Sequence, residues 1–385
     1  MAEPHEGLIV DRTDEQLRAT GAIKWAAAPP GVLPAWVAEM DFAVAEPIAR
    51  ALHEAVDVGR LGYGPPDEVT GVPEALADFA ADRWGWHPDP AHIVLAGDVV
   101  EALARVITTL CEDAPVVVPT PAYPPFLEVP AHTGRRLVTV AHDPDALRAT
   151  HDLEAIDREL AAGARTLVLC SPHNPWGRAF TREELTALRD VADRHGAMVL
   201  SDEIHAPLVL PGHEHVPYAT VAGPESRYVT LTSATKSWNM PGVKCAQVIC
   251  TNAADADRVR AFPLHPTQSS LGTAATRAAY RDGRDWLDAV VERIDANRQL
   301  FGKLVAERLP RVRMRPLEAT YLAWLDARAY GLGSPGAVAL ERGRVWVDHR
   351  EWGPGGEGHV RVNLATSPER VEQVVDRLAL AWESA

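Results

Sequence analysis

Three short, largely apolar runs, each closed by a turn, constrain the fold of this 385-residue chain more than any other feature. Runs of this length between chain breakers are typical of strands buried on both faces. Between the first two runs, Thr181 and Glu184 form a capping box that predicts the start of a helix. The order strand, helix, strand predicts βαβ units in a parallel sheet. The runs are residues 166–170 (TLVLC), 197–200 (AMVL) and 228–232 (YVTLT).

Near the end of each of these predicted strands is a polar residue that could take part in catalysis or ligand binding. Asn174 lies in the turn after the first strand, Asp202 lies two residues after the second, and Lys236 follows the third. Open α/β sheets bind their ligands outside the carboxyl ends of the strands. The sequence therefore predicts that these three side chains meet at one edge of the sheet.

Lys236 is unusual because lysine is rare in this chain. Of 38 basic residues only four are lysines, so arginine fills almost every ordinary surface role. Lysine can lose its proton and form an imine near neutral pH, whereas arginine cannot. The pattern therefore favours a Schiff-base lysine at position 236. The alternative is a surface cation at the end of a strand.

Eight motifs in this order resemble the fold-type I pyridoxal-phosphate enzymes of the class I/II aminotransferase superfamily. Within that superfamily they are most similar to the MalY/PatB group of cystathionine β-lyases, also called cysteine-S-conjugate β-lyases. The resemblance spans almost the whole chain. The motifs are WVAEMDF (36–42), LGYG (61–64), PTPAYPPF (119–126), SPHNPWG (171–177), SDEIH (201–205), SATKSWN (233–239), EATYLAWLD (318–326) and GEGHVRVN (356–363).

The resemblance implies an α/β fold with two domains. The large domain, residues 46–275, is expected to hold a mostly parallel sheet of the seven-stranded type flanked by helices. Residues 1–45 and 276–385 are expected to form a smaller α+β domain. A chain of 385 residues is long enough for two domains of ordinary size.

The resemblance also implies that pyridoxal phosphate is the cofactor and assigns residues to its ring. Lys236 is the residue that binds it covalently and takes the substrate proton, and Asp202 keeps the pyridine nitrogen protonated. Asn174 is expected to donate to the phenolic oxygen, and Tyr123 to stack on the ring face. His205 is either a contact near that oxygen or a structural histidine, and Tyr123 could instead pack beneath its loop.

The cofactor phosphate needs donors as well. A helix predicted after residue 98 would offer the backbone N–H groups of Val99 and Val100 to an anion. Asp98 stands where relatives often have Gly, and we expect it to turn away as the helix N-cap. Ser233 and Lys244 match the hydroxyl and cationic phosphate ligands of the superfamily.

The substrate site is implied by the same resemblance. Arg361, between Val360 and Val362, is expected to bind the substrate α-carboxylate as a bidentate fork. Trp176 is bulky where relatives often carry a small residue, so it either narrows the pocket or packs outside it. The remaining expected substrate residues are Trp36, Ala38, Asn174 and Tyr321.

The implied reaction is α,β-elimination from cystathionine or another L-cysteine S-conjugate, giving a thiol, pyruvate and ammonia. An aminotransferase acting on an L-amino acid would use the same residues and stays an alternative. A third possibility is a non-catalytic regulatory module on the same fold. Such a module would need a DNA-binding domain ahead of the fold. We do not expect one here, because the roughly 35 residues before Trp36 are too few to form it.

Composition narrows the range of partners. The net charge of −15 disfavours nucleic acid and anionic membranes, and no apolar stretch reaches the length of a membrane span. The four cysteines form no CxxC pair and lie in apolar runs, a pattern that indicates reduced thiols in the core of the protein. We therefore expect no metal site and a cytoplasmic location. The resemblance further implies a homodimer in which Tyr63 reaches across the interface to the partner's cofactor.

Overall fold

The computed structural model describes residues 7–146, 148–262 and 266–383. Its strands form a seven-stranded sheet and two smaller sheets. The strands are β1 Leu33–Ala35, β2 Ile93–Ala96, β3 Val116–Thr120, β4 Leu137–Ala141, β5 Thr166–Cys170, β6 Met198–Asp202, β7 Arg227–Thr232, β8 Ala246–Ile249, β9 Arg313–Met314, β10 Leu322–Asp326, β11 Val345–Val347 and β12 His359–Asn363.

Helices connect and cover these strands. The longest, α11, follows the seven-stranded sheet in sequence and packs against the last helix of the chain. The helices are α1 Asp14–Ala19, α2 Ile23–Ala26, α3 Glu46–Asp57, α4 Val72–Trp84, α5 Val99–Leu110, α6 Pro124–His132, α7 Leu153–Ala161, α8 Arg182–Arg194, α9 Ala253–Arg260, α10 Ser270–Asp282, α11 Arg284–Arg308, α12 Pro335–Gly343 and α13 Pro368–Glu383.

The seven-stranded sheet has the order β2-β8-β7-β6-β5-β3-β4 and is mostly parallel. Only β8 runs against its neighbours β2 and β7. The register aligns Cys170 with Asp202 and Asp202 with Leu231, so β5, β6 and β7 end at the same edge. The sheet class predicted from the sequence is confirmed.

Both faces of this sheet are buried, which explains the uninterrupted apolar runs. Within β5, Leu167 and Leu169 enter a core shared with α7 and α8, while Val168 and Cys170 enter a second core shared with α5 and α9. A strand covered on both sides needs apolar residues at every position rather than at alternate ones.

The helix that crosses between β5 and β6 begins where its capping box predicts. The Thr181 hydroxyl accepts from the Glu184 N–H at 3.2 Å, and the Glu184 carboxylate accepts from the Thr181 N–H at 2.8 Å. Two backbone donors at the helix start are satisfied by this exchange. Leu185 and Leu188 are buried on the face that covers the sheet.

A further core joins the start of the chain to its end. It contains Trp25 and Leu33 from the N-terminal arm together with Phe301, Val360 and Trp382 from the C-terminal part. The short sheet of β1 and β11 makes the same connection through backbone hydrogen bonds. Division into domains at residues 46 and 276 stays a prediction. None of the helices in the described ranges is long and apolar enough to cross a membrane.

Candidate active site

A pocket of about 620 Å³ opens at the carboxyl edge of the seven-stranded sheet. It is the place where the ends of β5, β6 and β7 bring their polar residues together. Ten residues expected from the sequence line it: Ala38, Val99, Val100, Tyr123, Asn174, Asp202, His205, Lys236, Lys244 and Arg361. The catalytic and binding roles given to them remain predictions.

Lys236 is partly buried at the base of this pocket. Its Nζ donates to the carbonyl oxygen of Ala38 at 3.1 Å, and the Tyr321 hydroxyl donates to the same oxygen at 3.1 Å. Burial, together with the positive charge of Arg361, lowers the pKa of Lys236 to about 8. A large fraction of this amine is therefore uncharged and nucleophilic slightly above neutral pH.

The backbone segment 36–40, hereafter the 36–40 segment, forms one wall of the site. Each of its five carbonyl oxygens accepts a hydrogen bond from a side chain elsewhere in the chain. Such a segment cannot shift without breaking several side-chain contacts at once. In order along the segment, the donors are Arg361, Asn363, Lys236 with Tyr321, Lys24 with Asn363, and Asn239.

Asp202 ends β6 with its side chain almost fully buried. One carboxylate oxygen accepts from the Ile204 N–H at 3.0 Å. Burial raises the pKa of this carboxyl group to about 7, against the smaller opposing effects of that N–H and of Lys236. A buried carboxyl group near neutral pKa suits a site that receives a cationic partner, because the partner's charge stabilises the ionised form.

His205 lines the pocket near the ring of Tyr321. Its Nδ1 is buried and has no hydrogen-bond partner among the described residues, and its ring meets that of Tyr321 edge on at 6.5 Å. Burial, followed by the charges of Lys236 and Arg361, lowers the pKa of His205 to about 3. The ring is therefore neutral, with a free nitrogen close to the pocket.

Arg361 is buried on β12 and its guanidinium is held from several sides. Its Nη1 donates to Asn174 Oδ1 at 2.9 Å, and its Nη2 donates to the Trp36 carbonyl at 3.1 Å and to Asp348 at 2.7 Å. The ring of Trp352 lies 4.6 Å from the guanidinium carbon. These contacts fix the plane of the fork, a requirement for bidentate binding of a carboxylate.

The start of α5 forms the other end of the pocket. Asp98 is the N-cap, as predicted, and accepts from the Glu101 N–H at 2.9 Å. It also accepts from Lys244 Nζ at 2.6 Å. Although burial acts to raise the pKa of Asp98, hydrogen bonds from Lys244, Glu101 and Val100 lower it overall. Lys244 is therefore paired with a carboxylate at the pocket, a contact that the sequence interpretation did not include.

Four expected site residues do not line the pocket. Ser233 donates instead to the carbonyl of Cys245 at 2.8 Å, and Trp36 stacks on Trp346 with ring centroids 4.4 Å apart. Tyr321 reaches the site through the Ala38 carbonyl and through its ring contact with His205. Tyr63 is 99% exposed, and its expected contact with a partner's cofactor stays a prediction.

Trp176 packs outside the pocket. Its indole stacks on His173 at 3.8 Å and lies 4.4 Å from His142, within the core under α7 and α8. Of the two alternatives predicted for this residue, narrowing of the pocket is therefore wrong. The large ring fills space behind the turn that carries Asn174.

The sequence interpretation missed Arg350 and Asp348. Asp348 is bonded to both Arg350 and Arg361, and Arg350 lines the pocket. These residues become neighbours through an antiparallel bridge between Asp348 and Arg361, 13 positions apart. No motif marks such a bridge in the sequence. Other lining residues that were not foreseen are Ile204, Thr235 and several side chains of α6.

The sheet, the lysine at a strand end and the buried carboxylate define the fold-type I class of α/β enzymes. Residues 37–378 match the family described as aminotransferase class I and II, and the chain belongs to this family. A Mycobacterium leprae protein named "Putative cystathionine beta-lyase" is 38% identical, over 96% of each chain. Cystathionine beta-lyase PatB of Bacillus subtilis is 34% identical, over 96% of this chain and 99% of PatB.

A solved structure shows the same architecture. It is described as a "putative plp-dependent beta-cystathionase" from Corynebacterium diphtheriae and has a TM-score of 0.91 to this chain. The two are 37% identical, over 97% of this chain and 99% of the other.

Proposed function

We propose that this protein is a pyridoxal-phosphate-dependent carbon–sulfur β-lyase acting on cystathionine or another L-cysteine S-conjugate. The observation that carries the proposal is the convergence of Lys236, Asp202 and Arg361 on one pocket. Relatives of 34–38% identity over nearly the full length are named cystathionine beta-lyase. These names favour a lyase over other reactions of the same family.

The residues present suit pyridoxal phosphate. The cofactor carries a basic pyridine nitrogen, a phenolic oxygen, an aldehyde and a phosphate. Asp202 offers a buried carboxylate with a pKa near 7, and His205 offers a buried ring nitrogen that lacks a partner among the described residues. Lys236 supplies an amine of lowered pKa. Lys244 and the start of α5 lie at the same end of the pocket and suit the phosphate.

When bound, pyridoxal phosphate supplies an electron sink that stabilises negative charge at the substrate Cα. Asp202 would hold the proton on the pyridine nitrogen, because a buried carboxylate stabilises a neighbouring cation. Arg361 binds the α-carboxylate, and this fixes which Cα bond points toward Lys236. Lys236 then removes the Cα proton as a general base.

In the proposed elimination the Cα–H and Cβ–S bonds break and the thiolate leaves. Water is consumed as the remaining three-carbon fragment becomes pyruvate and ammonium. Aminotransfer is the second candidate, since relatives of 25–26% identity are named aminotransferases. It would return the proton to the cofactor and would need a 2-oxo acid to complete each cycle.

The deciding experiment uses purified protein loaded with pyridoxal phosphate. L-cystathionine is added without a 2-oxo acid, and pyruvate and free thiol are measured over many turnovers. The proposal expects equal amounts of both products. Turnover that stops after one equivalent and resumes only when a 2-oxo acid is added would establish the aminotransferase instead.

The proposal includes a homodimer in which Tyr63 completes the partner's site. Tyr63 is almost fully exposed and lies beside other exposed apolar side chains, including Val58 and Leu61. Such a patch is typical of a protein interface. Mixing a Tyr63→Ala variant with Lys236→Ala should restore activity, because one hybrid site then has both residues. A cytoplasmic location is also proposed, on the basis that all four cysteines are free thiols.

A further inference from the structure

Asp348 holds two arginines at the pocket. Its Oδ2 accepts from Arg361 Nη2 and from Arg350 Nη2, both at 2.7 Å, and its Oδ1 accepts from Arg350 Nε at 3.0 Å. Asp348 and Arg361 are each 1% exposed, whereas the Arg350 side chain is 44% exposed. One buried carboxylate therefore orients a buried guanidinium and a second one at the pocket surface.

Arg350 has capacity for another ligand. Its Nε and Nη2 are used by Asp348, and its Nη1 makes no hydrogen bond to the described residues. The ring of Trp352 supports the guanidinium at 5.6 Å. A guanidinium that is fixed along one edge and open on the other is well suited to bind an anion.

Glu128 on α6 lines the same pocket, and no hydrogen bond joins its carboxylate to the described residues. Its charge reaches Arg350. Burial acts to lower the pKa of Arg350, but the hydrogen bond and charge of Asp348, with smaller contributions from Tyr123 and Glu128, raise it overall. The pocket thus presents one unpaired cationic edge and one free carboxylate in addition to Arg361.

We propose that Arg350 and Glu128 recognise a second amino-acid group, carried on the sulfur substituent of the substrate. This inference rests on the proposed lyase function and names the substrate class of that same site. The distal carboxylate binds Arg350 and the distal ammonium binds Glu128.

Charge balance favours a zwitterionic group over a simple anion. Arg361, Arg350 and Asp348 together carry one net positive charge, and the substrate α-carboxylate on Arg361 neutralises it. A further net negative charge would gain little from this neutral set and would be repelled by Glu128. A zwitterion adds no net charge, and each of its ends meets a partner of opposite sign.

The test compares three substrates that differ only at the distal end. L-cystathionine carries the carboxylate and the ammonium, S-(3-carboxypropyl)-L-cysteine carries the carboxylate alone, and S-propyl-L-cysteine carries neither. For the holoenzyme and each variant, kcat/KM is measured from pyruvate release. The variants are Arg350→Gln, Glu128→Gln and, as a control, Arg342→Gln on an exposed face of α12.

Arg350→Gln is expected to lower the cystathionine to S-propyl-cysteine ratio of kcat/KM by about tenfold or more, the size expected for one charge-assisted hydrogen bond. Glu128→Gln should lower the cystathionine to S-carboxypropyl-cysteine ratio. The control should keep both ratios. If all three substrates are cleaved but the ratios are unchanged in both variants, the distal site is refuted. If no substrate yields pyruvate, it is the lyase proposal that fails.

Discussion

Replacing Asp202 by Asn should make the cofactor-free protein more stable at pH 8 and much less active once loaded. Both effects have one cause. The carboxylate is buried and, in the part of the chain that the structure describes, accepts only from the Ile204 N–H, so its ionised form is costly until a cationic partner arrives. Asn has nearly the same shape and cannot ionise.

The magnitude follows from the pKa. In the unfolded chain the carboxyl group titrates near 3.8, and in the folded chain at about 7. Below pH 3.8 the carboxyl group is protonated in both the folded and the unfolded chain, so its burial does not lower the free energy of unfolding. As pH rises through this window, stability is lost at about 1.4 kcal/mol per pH unit, reaching about 4 kcal/mol above pH 7. Between pH 5 and pH 8 the loss is about 3 kcal/mol.

Urea unfolding of the cofactor-free proteins at pH 5 and pH 8, at equal protein concentration, measures this difference. The stability gain of Asp202→Asn over wild type should be about 3 kcal/mol larger at pH 8 than at pH 5. Asp78→Asn, at an exposed position on α4, is the control and should follow the wild type. With pyridoxal phosphate bound, the wild type should be more stable than Asp202→Asn, because only the carboxylate stabilises a protonated pyridine nitrogen.

A gain that is the same at both pH values, to within about 1 kcal/mol, would refute the reasoning. It would mean that water or a neighbour already stabilises the ionised carboxylate in the free protein. Near-normal turnover of Asp202→Asn would separately show that another group keeps the pyridine nitrogen protonated.

Three further predictions concern other residues of the site. Borohydride reduction and peptide mass mapping should find the pyridoxyl group on Lys236, and Lys236→Ala should abolish both labelling and turnover. Label on Lys244 would overturn the assignment. Arg361→Ala should raise KM strongly, by the loss of charge-assisted hydrogen bonds of roughly 1.5–3 kcal/mol each, and Arg361→Lys should not restore it, because an ammonium lacks the planar fork. Lys24→Met should lower the free energy of unfolding by about 3–5 kcal/mol, since Asp41 then keeps a buried, unpaired charge. Adding Asp41→Asn should recover part of that loss in urea unfolding.

The parts of the site that could be predicted from the sequence depend on residues that are close to one another along the chain. Asp202 is the last residue of β6, and Asn174 and Lys236 follow β5 and β7. Parallel strands bring their carboxyl ends together without further information. The capping box of α8 is equally local. Strand limits differed by one or two residues, because a strand ends where its hydrogen-bond partner ends, and the partner is unknown beforehand.

What escaped prediction depends on contacts between distant segments. Asp348 contacts Arg361 because β12 pairs with the segment around residue 348. The same pairing brings Arg350 to the pocket. The pairing of Lys244 with Asp98 spans 146 residues, so local reasoning could place the lysine near the phosphate but could not show that a carboxylate already binds it. The sequence could not show whether Trp176 lies in the pocket or in the core, because its turn is close to both. In the structure its indole stacks on His173 within the core.

The 36–40 segment also determines when, during synthesis, an active site can exist. The segment is made early, yet its carbonyls bind side chains of residues 236, 239, 321, 361 and 363. Until nearly the entire chain has left the ribosome, these carbonyls lack the late donors Tyr321, Arg361 and Asn363. An unfinished chain that already contains the seven-stranded sheet would therefore hold the 36–40 segment without the side chains that fix it.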